Sequence, residues 1–508
     1  MTIGGIKMKF QVKYLFLILI IATIFPLSIK SQSTFMKFFG ADGKYNEDSG
    51  YSVLLTNDGG YISCGLYDRN GMESFPYTSG DIFIVRTDAN GDTLWTKTYG
   101  DPLVFELGSA IFNSDDGGYF VFYNSTYEYY VNLMKISSQG DSLWTKHYSE
   151  YRNHPWVKNI KQSRDKKSFL VAARSSADYL LKIDSLGNIL WSKTYDSSQT
   201  SFRISSVAET NDGGYILSNR LYFSETNVDY IGLIKIDDSL NIQWQKIYPS
   251  PENFVSNAHL TDFNFEVLQT SDGGYFSIGG SNRRDSNPGE IYTRGWLLKT
   301  DEKGDTLWTR LTGPQNYISG TYLYAGLEDS DRNLVALGNK QGHFLYIIKL
   351  KPDGTIIWER EFGIYSELEF RGFDVKETID GGYIVTGQKH TGYFDYSDLF
   401  LIKVNKDGIL VSIKSEEETI PTNFELAQNY PNPFNPTTTI RYKIPTESFV
   451  KIKIYNALGE EVRTLVNEVQ KDGIYEVQFI PGNIASGIYF YTLQTEQNVL
   501  SRKMIYVK

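Results

Sequence analysis

The sequence predicts an all-β protein, a seven-bladed β-propeller of four-stranded blades followed by a small immunoglobulin-like β-sandwich, and three observations carry that prediction. A turn signal recurs as Asp58-Gly59-Gly60-Tyr61, Asp116-Gly117-Gly118-Tyr119, Asp212-Gly213-Gly214-Tyr215, Asp272-Gly273-Gly274-Tyr275 and Asp380-Gly381-Gly382-Tyr383, with degraded copies at Asp165 to Phe169 and Asp331 to Leu334. A second signal, an Asp- and Gly-rich turn leading into a short strand, ends in Trp95, Trp144, Trp191, Trp244, Trp308 and Trp358, and closes a seventh unit at Asp407 to Val411 without a Trp. Repeats spaced by roughly fifty residues, with no apolar pattern of helical period between them, belong to radial β architectures. Beyond residue 416 the repeat stops and a differently patterned segment begins.

Each unit reads as four strands. In the first, Tyr51 to Thr56 and Tyr61 to Gly65 are short β-branched and aromatic runs joined by an Asn-Asp-Gly-Gly turn, whose glycines supply the positive φ that a tight hairpin needs. Asp81 to Arg86 is the third strand, and an Asp-Ala-Asn-Gly-Asp turn leads into Thr93 to Tyr99 as the fourth. One such meander cannot bury both faces, so radial stacking of several is the way to build a continuous core. Six of the eight Trp residues share one repeat position, which predicts that each ring packs between blades. The segment Ser33 to Gly40 matches a fourth strand and has no unit of its own. It is expected to join the seventh sheet, beside or in place of Ile409 to Ile413, and so close the ring without leaving an exposed sheet edge.

The chain has 508 residues and a formal net charge of −10, with 50 basic against 60 acidic side chains and no basic block beyond the extreme N-terminus. That balance argues against nucleic acid as a partner. Lys7, Lys9 and Lys13 precede the apolar run Tyr14 to Ile29 and then small polar residues, the layout of a secretory signal peptide over residues 1–32 that is removed, leaving no transmembrane span in the mature protein. Cys64 is the sole cysteine, so no disulfide framework is available.

The connections between strands two and three, and between units, vary in length and must emerge on the face opposite the Asp-Gly hairpins. Their ligand-face candidates are Tyr77, Tyr129, Trp156, Tyr222, Arg283, Arg284, Tyr292, Tyr317, Arg371 and Tyr393, since loops on a rigid scaffold are where binding concentrates. No zinc-ligand spacing, nucleophile elbow or phosphate loop is present, so no catalytic residue, metal or cofactor is assigned. The stretch Leu181 to Trp191, Leu-Lys-Ile-Asp-Ser-Leu-Gly-Asn-Ile-Leu-Trp, resembles the tryptophan-docking repeat of quinoprotein-like propellers. That resemblance implies blade architecture only.

Glu416 to Thr422 is a charged linker containing Pro421, and residues 424–508 follow as a separate module, with residues 33–416 assigned to the propeller and 417–423 to the linker. The module opens with Tyr430-Pro431-Asn432-Pro433-Phe434-Asn435-Pro436, whose prolines exclude helix and central strand. Alternating strands are expected at Ile440 to Ile444, Val450 to Tyr455, Tyr475 to Phe479, Ile488 to Gln494 and Met504 to Val507. Together with Gly459, Gly487, Tyr489 and the tail Lys503 to Lys508, these motifs closely resemble the type A C-terminal sorting domain of the type IX secretion system. The resemblance implies export across an outer membrane by that machinery and its sortase, ending on the cell surface or in the medium. The function expected is therefore a secreted monomeric binding or adhesion protein for a glycan or protein ligand. The alternative is a polysaccharide- or glycoconjugate-degrading hydrolase or lyase with its site on the variable-loop face.

Overall fold

The computed structural model describes residues 34–40, 47–68, 80–101, 103–125, 131–148, 156–174, 178–195, 203–223, 228–249, 266–284, 291–313, 320–340, 344–363, 369–390, 397–410, 424–429, 432–434, 438–479, 481, 484–496 and 498–507. Among these residues every regular element is a strand. Seven four-stranded antiparallel sheets come first in the chain, followed by a four-stranded and a three-stranded sheet.

Sheet 1 consists of Ser49–Leu55, Tyr61–Asp68, Gly80–Thr87 and Thr93–Tyr99, paired in that order. Sheet 2 runs from Glu106–Asn113 to Ser142–Tyr148, sheet 3 from Trp156–Gln162 to Ile189–Tyr195, sheet 4 from Arg203–Glu209 to Ile242–Pro249, sheet 5 from Glu266–Gln269 to Thr306–Thr312 and sheet 6 from Thr321–Glu328 to Ile356–Phe362. Sheet 7 contains Glu369–Glu377, Tyr383–His390 and Ser397–Val404, and takes its fourth strand, Phe35–Phe39, from the other end of the chain.

The recurrent hairpin is held by its Asp. In sheet 5, Asp272 Oδ1 accepts from Thr270 Oγ1 at 2.6 Å and from the Gly274 amide at 2.9 Å, while Gly273 sits at φ +87°. Lys299 on the third strand, 1% exposed, reaches Asp272 Oδ2 at 2.9 Å and donates to the Thr300 carbonyl at 3.0 Å. Arg86, Lys135, Lys235 and Lys403 pair in the same way with Asp58, Asp116, Asp212 and Asp380. A buried cation is tolerated here because the turn carboxylate answers its charge and nearby oxygens accept its N–H groups. Sheet 6 shifts the carboxylate two residues earlier, to Asp329, which pairs with Lys349 at 2.9 Å and accepts from Tyr383 Oη of the next sheet at 2.9 Å.

The repeated Trp rings lie where expected, between sheets. Trp191 meets Tyr215, Trp244 meets Tyr275 and Trp358 meets Tyr383, with centroids 5.4, 5.8 and 5.9 Å apart and the Tyr always on the following sheet. Trp308 and Trp358 also donate to the carbonyls of Pro352 and Lys406 in the next turn, at 2.8 and 3.2 Å. Each apolar cluster of the seven sheets draws side chains from two successive sheets, and the succession returns from sheet 7 to sheet 1.

The return contact depends on Phe35–Phe39. It pairs antiparallel with Ser397–Val404 from Phe35↔Lys403 to Phe39↔Leu399, taking the fourth-strand place that Ile409 and Leu410, outside any strand, do not fill. Phe35 stands in for the Trp, 5.6 Å from Tyr61 of sheet 1. Lys37 reaches Asp92 at 2.8 Å, the same bond that Lys97 makes to Asp141 at 2.7 Å and Lys246 to Asp305 at 2.6 Å.

In the C-terminal module, Glu425–Leu426, Thr438–Ile444 and Gly473–Phe479 form one sheet, and Glu461–Gln470, Ser448–Asn456, Gly487–Gln494 and Val499–Tyr506 the other. The two share one core that includes Ile440, Tyr442, Ile452, Tyr491 and Met504. Glu461–Gln470 and Glu425–Leu426 are strands that the sequence reading did not assign.

Candidate functional site

The first strands of the seven sheets make the tightest inter-sheet contacts, and six of them bend at a β-bulge in one repeat position: between Gly50 and Ser52, Gly108 and Ala110, Val157 and Asn159, Ile204 and Ser206, Leu323 and Ala325, and Gly372 and Asp374. An extra residue at a bulge re-aims the side chains around it. In sheet 7 the bulge is made possible by Gly387 on the second strand, where an added Cβ would stand 1.9 Å from the Arg371 carbonyl oxygen.

The residue after the bulge, like Glu266 at the corresponding place in sheet 5, ties its sheet to the next. Asp374 Oδ2 accepts the Val53 amide at 3.0 Å, Ser52 Oγ the Ile111 amide at 3.4 Å, Ser206 Oγ the Val267 amide at 3.4 Å and Glu266 Oε2 the Gly326 amide at 2.7 Å. Glu266 also pairs with Lys161, a link that joins sheet 5 to sheet 3 and passes over sheet 4. Burial works against the Lys161 charge, but the Glu266 carboxylate outweighs it and the ammonium is held above its ordinary pKa.

The bulged residues themselves differ around the succession. Sheets 2 and 4 carry Ser109 and Ser205 there, whereas sheets 6, 7 and 1 carry Tyr324, Phe373 and Tyr51. These three half-buried rings touch in series, with Tyr51 to Phe373 at 5.2 Å and Phe373 to Tyr324 at 5.9 Å. Arg371 on the same strand is exposed. Its charge bears on Glu47 and Tyr324: burial, then Asp68, pushes the Glu47 carboxyl up against the pull of Arg371, and burial raises the Tyr324 phenol against an Asn339 hydrogen bond and Arg371. The Tyr51 phenol is also raised, by burial and by Glu47, against a hydrogen bond with Ser49.

Of the ten ligand-face candidates, Arg371 is the one whose side chain is described, and it lies in a strand, paired with Gln388. Trp156, Tyr222, Arg283, Arg284 and Tyr292 correct the sequence reading, because they too are in strands and not in loops: Trp156 pairs with Arg174, Tyr222 with Asp229, Arg283 with Tyr292 and Arg284 with Ile291. The ladders of sheets 4 and 5 continue to Phe223↔Val228 and Arg284↔Ile291, through residues whose polarity suggests a loop. Tyr77, Tyr129, Tyr317 and Tyr393 lie outside the described residues. Tyr51, Tyr324 and Phe373 were not picked out by sequence, although each stands at one distance ahead of its turn Asp, which is a legible signal.

In the C-terminal module, two motifs that the sequence kept apart come together. Asn432 Oδ1 accepts the Ile505 amide at 2.8 Å, the Phe434 amide donates to the Ile505 carbonyl at 3.0 Å and the Val507 amide to the Phe434 carbonyl at 3.0 Å. The peptide preceding Pro433 is cis. Phe434 is buried between Tyr506 and Phe479, at 5.2 and 6.0 Å. Gly459 takes φ +82° in the turn after Asn456, Gly487 opens a strand, Tyr489 donates to the Ala485 carbonyl at 2.7 Å, and the Lys503 carbonyl accepts from Gln428 Nε2 at 2.7 Å. Tyr430, Pro431, Asn435, Pro436 and Lys508 lie outside the described residues.

Residues 428–508 match the secretion system C-terminal sorting domain. The protein is exported by the type IX secretion system, to the cell surface or the extracellular space. No helix among the described residues is long and apolar enough to cross a membrane. No curated protein matches the sequence. Among solved structures, the chain is similar to the extracellular domain of a hybrid two-component system of B. thetaiotaomicron, at 12% identity and a TM-score of 0.42, with 91% of this chain and 55% of that one covered. This chain thus spans little more than half the length of that relative. It is also similar to PorZ, a surface component of the type IX secretion system of Porphyromonas gingivalis, at 11% identity and a TM-score of 0.31, with 90% and 81% covered. A third likeness is to the WD40 domain of Toxoplasma gondii coronin, at 8% identity and a TM-score of 0.40, with 75% and 89% covered.

Proposed function

We propose that the seven sheets are the blades of one seven-bladed propeller over residues 33–416, acting outside the cell as a binding or adhesion module for a glycan or protein ligand. Residues 1–32 are its signal peptide, 417–423 a linker and 424–508 an immunoglobulin-like sorting sandwich that delivers it. The observation that carries the binding reading is the contrast between sheets. The turns and inter-sheet contacts recur from sheet to sheet, yet among the described bulges the bulged residue is Ser, Lys and Ser in sheets 2, 3 and 4 and aromatic in the consecutive sheets 6, 7 and 1. Packing that repeats is architecture; a departure confined to one arc is where a ligand adds its own demand on the sequence. The test is to screen the purified exported protein on glycan and protein arrays and in parallel for release of sugar products. Saturable binding without turnover is expected. Product release would replace this reading with the hydrolase or lyase.

A further inference from the structure

We infer that Tyr51, Phe373 and Tyr324, with Arg371 at their margin, form a saccharide-binding platform at the bulges of sheets 1, 7 and 6. The inference rests on the binding reading above and gives it a place and a ligand class. A pyranose has faces of C–H groups and a rim of hydroxyls. Three aromatic rings in contact, inclined at 30° and 62° to one another, offer apolar surface to the first, and a charged fork of donors beside them matches the second.

Three features favour a platform over plain packing. A bulge here needs no ring to fill it, since Ser109 and Ser205 serve in sheets 2 and 4. The rings are also held in place before any ligand arrives. The Gly372 amide donates to Asn339 Oδ1 of sheet 6 at 2.9 Å, and Asp374 accepts the Val53 amide of sheet 1 at 3.0 Å, so the backbone on either side of Phe373 is fixed to both neighbours. A site ordered in advance spends less of its interaction energy on being ordered by the ligand. Finally, the three rings stay only half buried and Arg371 is exposed, whereas Tyr275 and Tyr383 of the sheet-to-sheet clusters are fully enclosed.

The experiment is calorimetric titration of the exported protein with cellohexaose, xylohexaose, chitohexaose, laminarihexaose and polygalacturonate. It is repeated on Phe373→Leu, Tyr51→Leu and Arg371→Gln, each checked for an unchanged melting temperature. At least one saccharide is expected to bind, with each Leu variant weakening it by roughly tenfold or more. Arg371→Gln, a change at an exposed side chain, is expected to weaken it several-fold and serves if a Leu variant fails to fold. Binding that survives in the folded variants overturns the platform and leaves the binding reading standing. Failure of every saccharide, with a protein ligand found on the arrays, overturns the ligand class.

Discussion

Lys299 is enclosed by sheet 5, where Asp272 and the Thr300 carbonyl hold its ammonium. The two partners of that pair are not equivalent: the lysine is buried, while the Asp272 side chain is about half exposed at 49%. Asp272→Ala therefore strands a buried cation and is expected to cost about 3 kcal/mol, the scale of an uncompensated buried charge. Lys299→Met leaves a carboxylate that water can reach and is expected to cost clearly less; chemical denaturation of the two variants measures the order. The turn aspartates also set a pH window. For Asp212, burial would raise the carboxyl, but Lys235, Thr210 and the Gly214 amide together bring it down to about 2. A carboxyl depressed on folding stabilises fully above its unfolded value of about 4 and loses that contribution as pH falls through the folded value. The melting temperature should be level above about pH 5 and fall between about pH 4 and 2, and the fall should shrink in Lys235→Met, read by calorimetry. Three turns depart from glycine, at Lys166, Leu240 and Arg332, and of these Leu240 sits at φ +65° where its counterparts are Gly91, Gly140 and Gly304. Leu240→Gly should relieve strain and raise stability by about 0.5–1 kcal/mol in the same assay. The Asp-Gly turns were legible in sequence because the dipeptide itself dictates the backbone. Their cations were not, since Lys299 and its counterparts meet the turn only after the third strand folds back across the second.

At the scale of the element, Phe35–Phe39 was legible because a fourth strand without a unit has one place to go. Glu461–Gln470 was missed for the opposite reason: as the edge strand of its sheet it is exposed or half-buried along its whole length, so its charged side chains give no alternation to read. The reading of Tyr222, Arg283, Arg284 and Tyr292 as loop residues failed because the antiparallel ladders of these hairpins run on to Phe223↔Val228 and Arg284↔Ile291. Phe35–Phe39 supports the most direct test of closure. Deleting residues 33–40 removes five ladder partners of Ser397–Val404, the Phe35 contact with Tyr61 and the Lys37 bond to Asp92. The bared edge is a template for pairing with other chains. A lower melting temperature and concentration-dependent light scattering are expected, and a synthetic peptide of residues 33–40 should reverse both. A deletion that melts like the full chain would show that sheet 7 closes without this strand.

For the molecule as a whole, export and folding are carried by different parts of the chain, and the structure sharpens how to separate them. The apolar clusters of the seven sheets close on themselves, while the C-terminal module has a core of its own, so deletion of residues 424–508 should leave the remaining chain folded and unexported. The tail presents a subtler case. Met504 and Tyr506 are buried, and Ile505 and Val507 bond to Asn432 and Phe434, which means that truncation at Met504 removes core side chains and the partners of the proline-rich opening together. That truncation is expected to unfold the module as well as block export, and so does not by itself show that the tail is read by the machinery. Lys503, exposed on the last strand, separates the two effects. Lys503→Ala should keep the module's melting transition, and its export then reports recognition alone. The measurement is cell fractionation with surface protease accessibility in a type IX-secreting host, alongside thermal melting of each purified protein. The protein lacking residues 424–508 should accumulate in the periplasm with the propeller's transition intact; its arrival on the surface in normal amounts would mean that the address lies elsewhere in the chain.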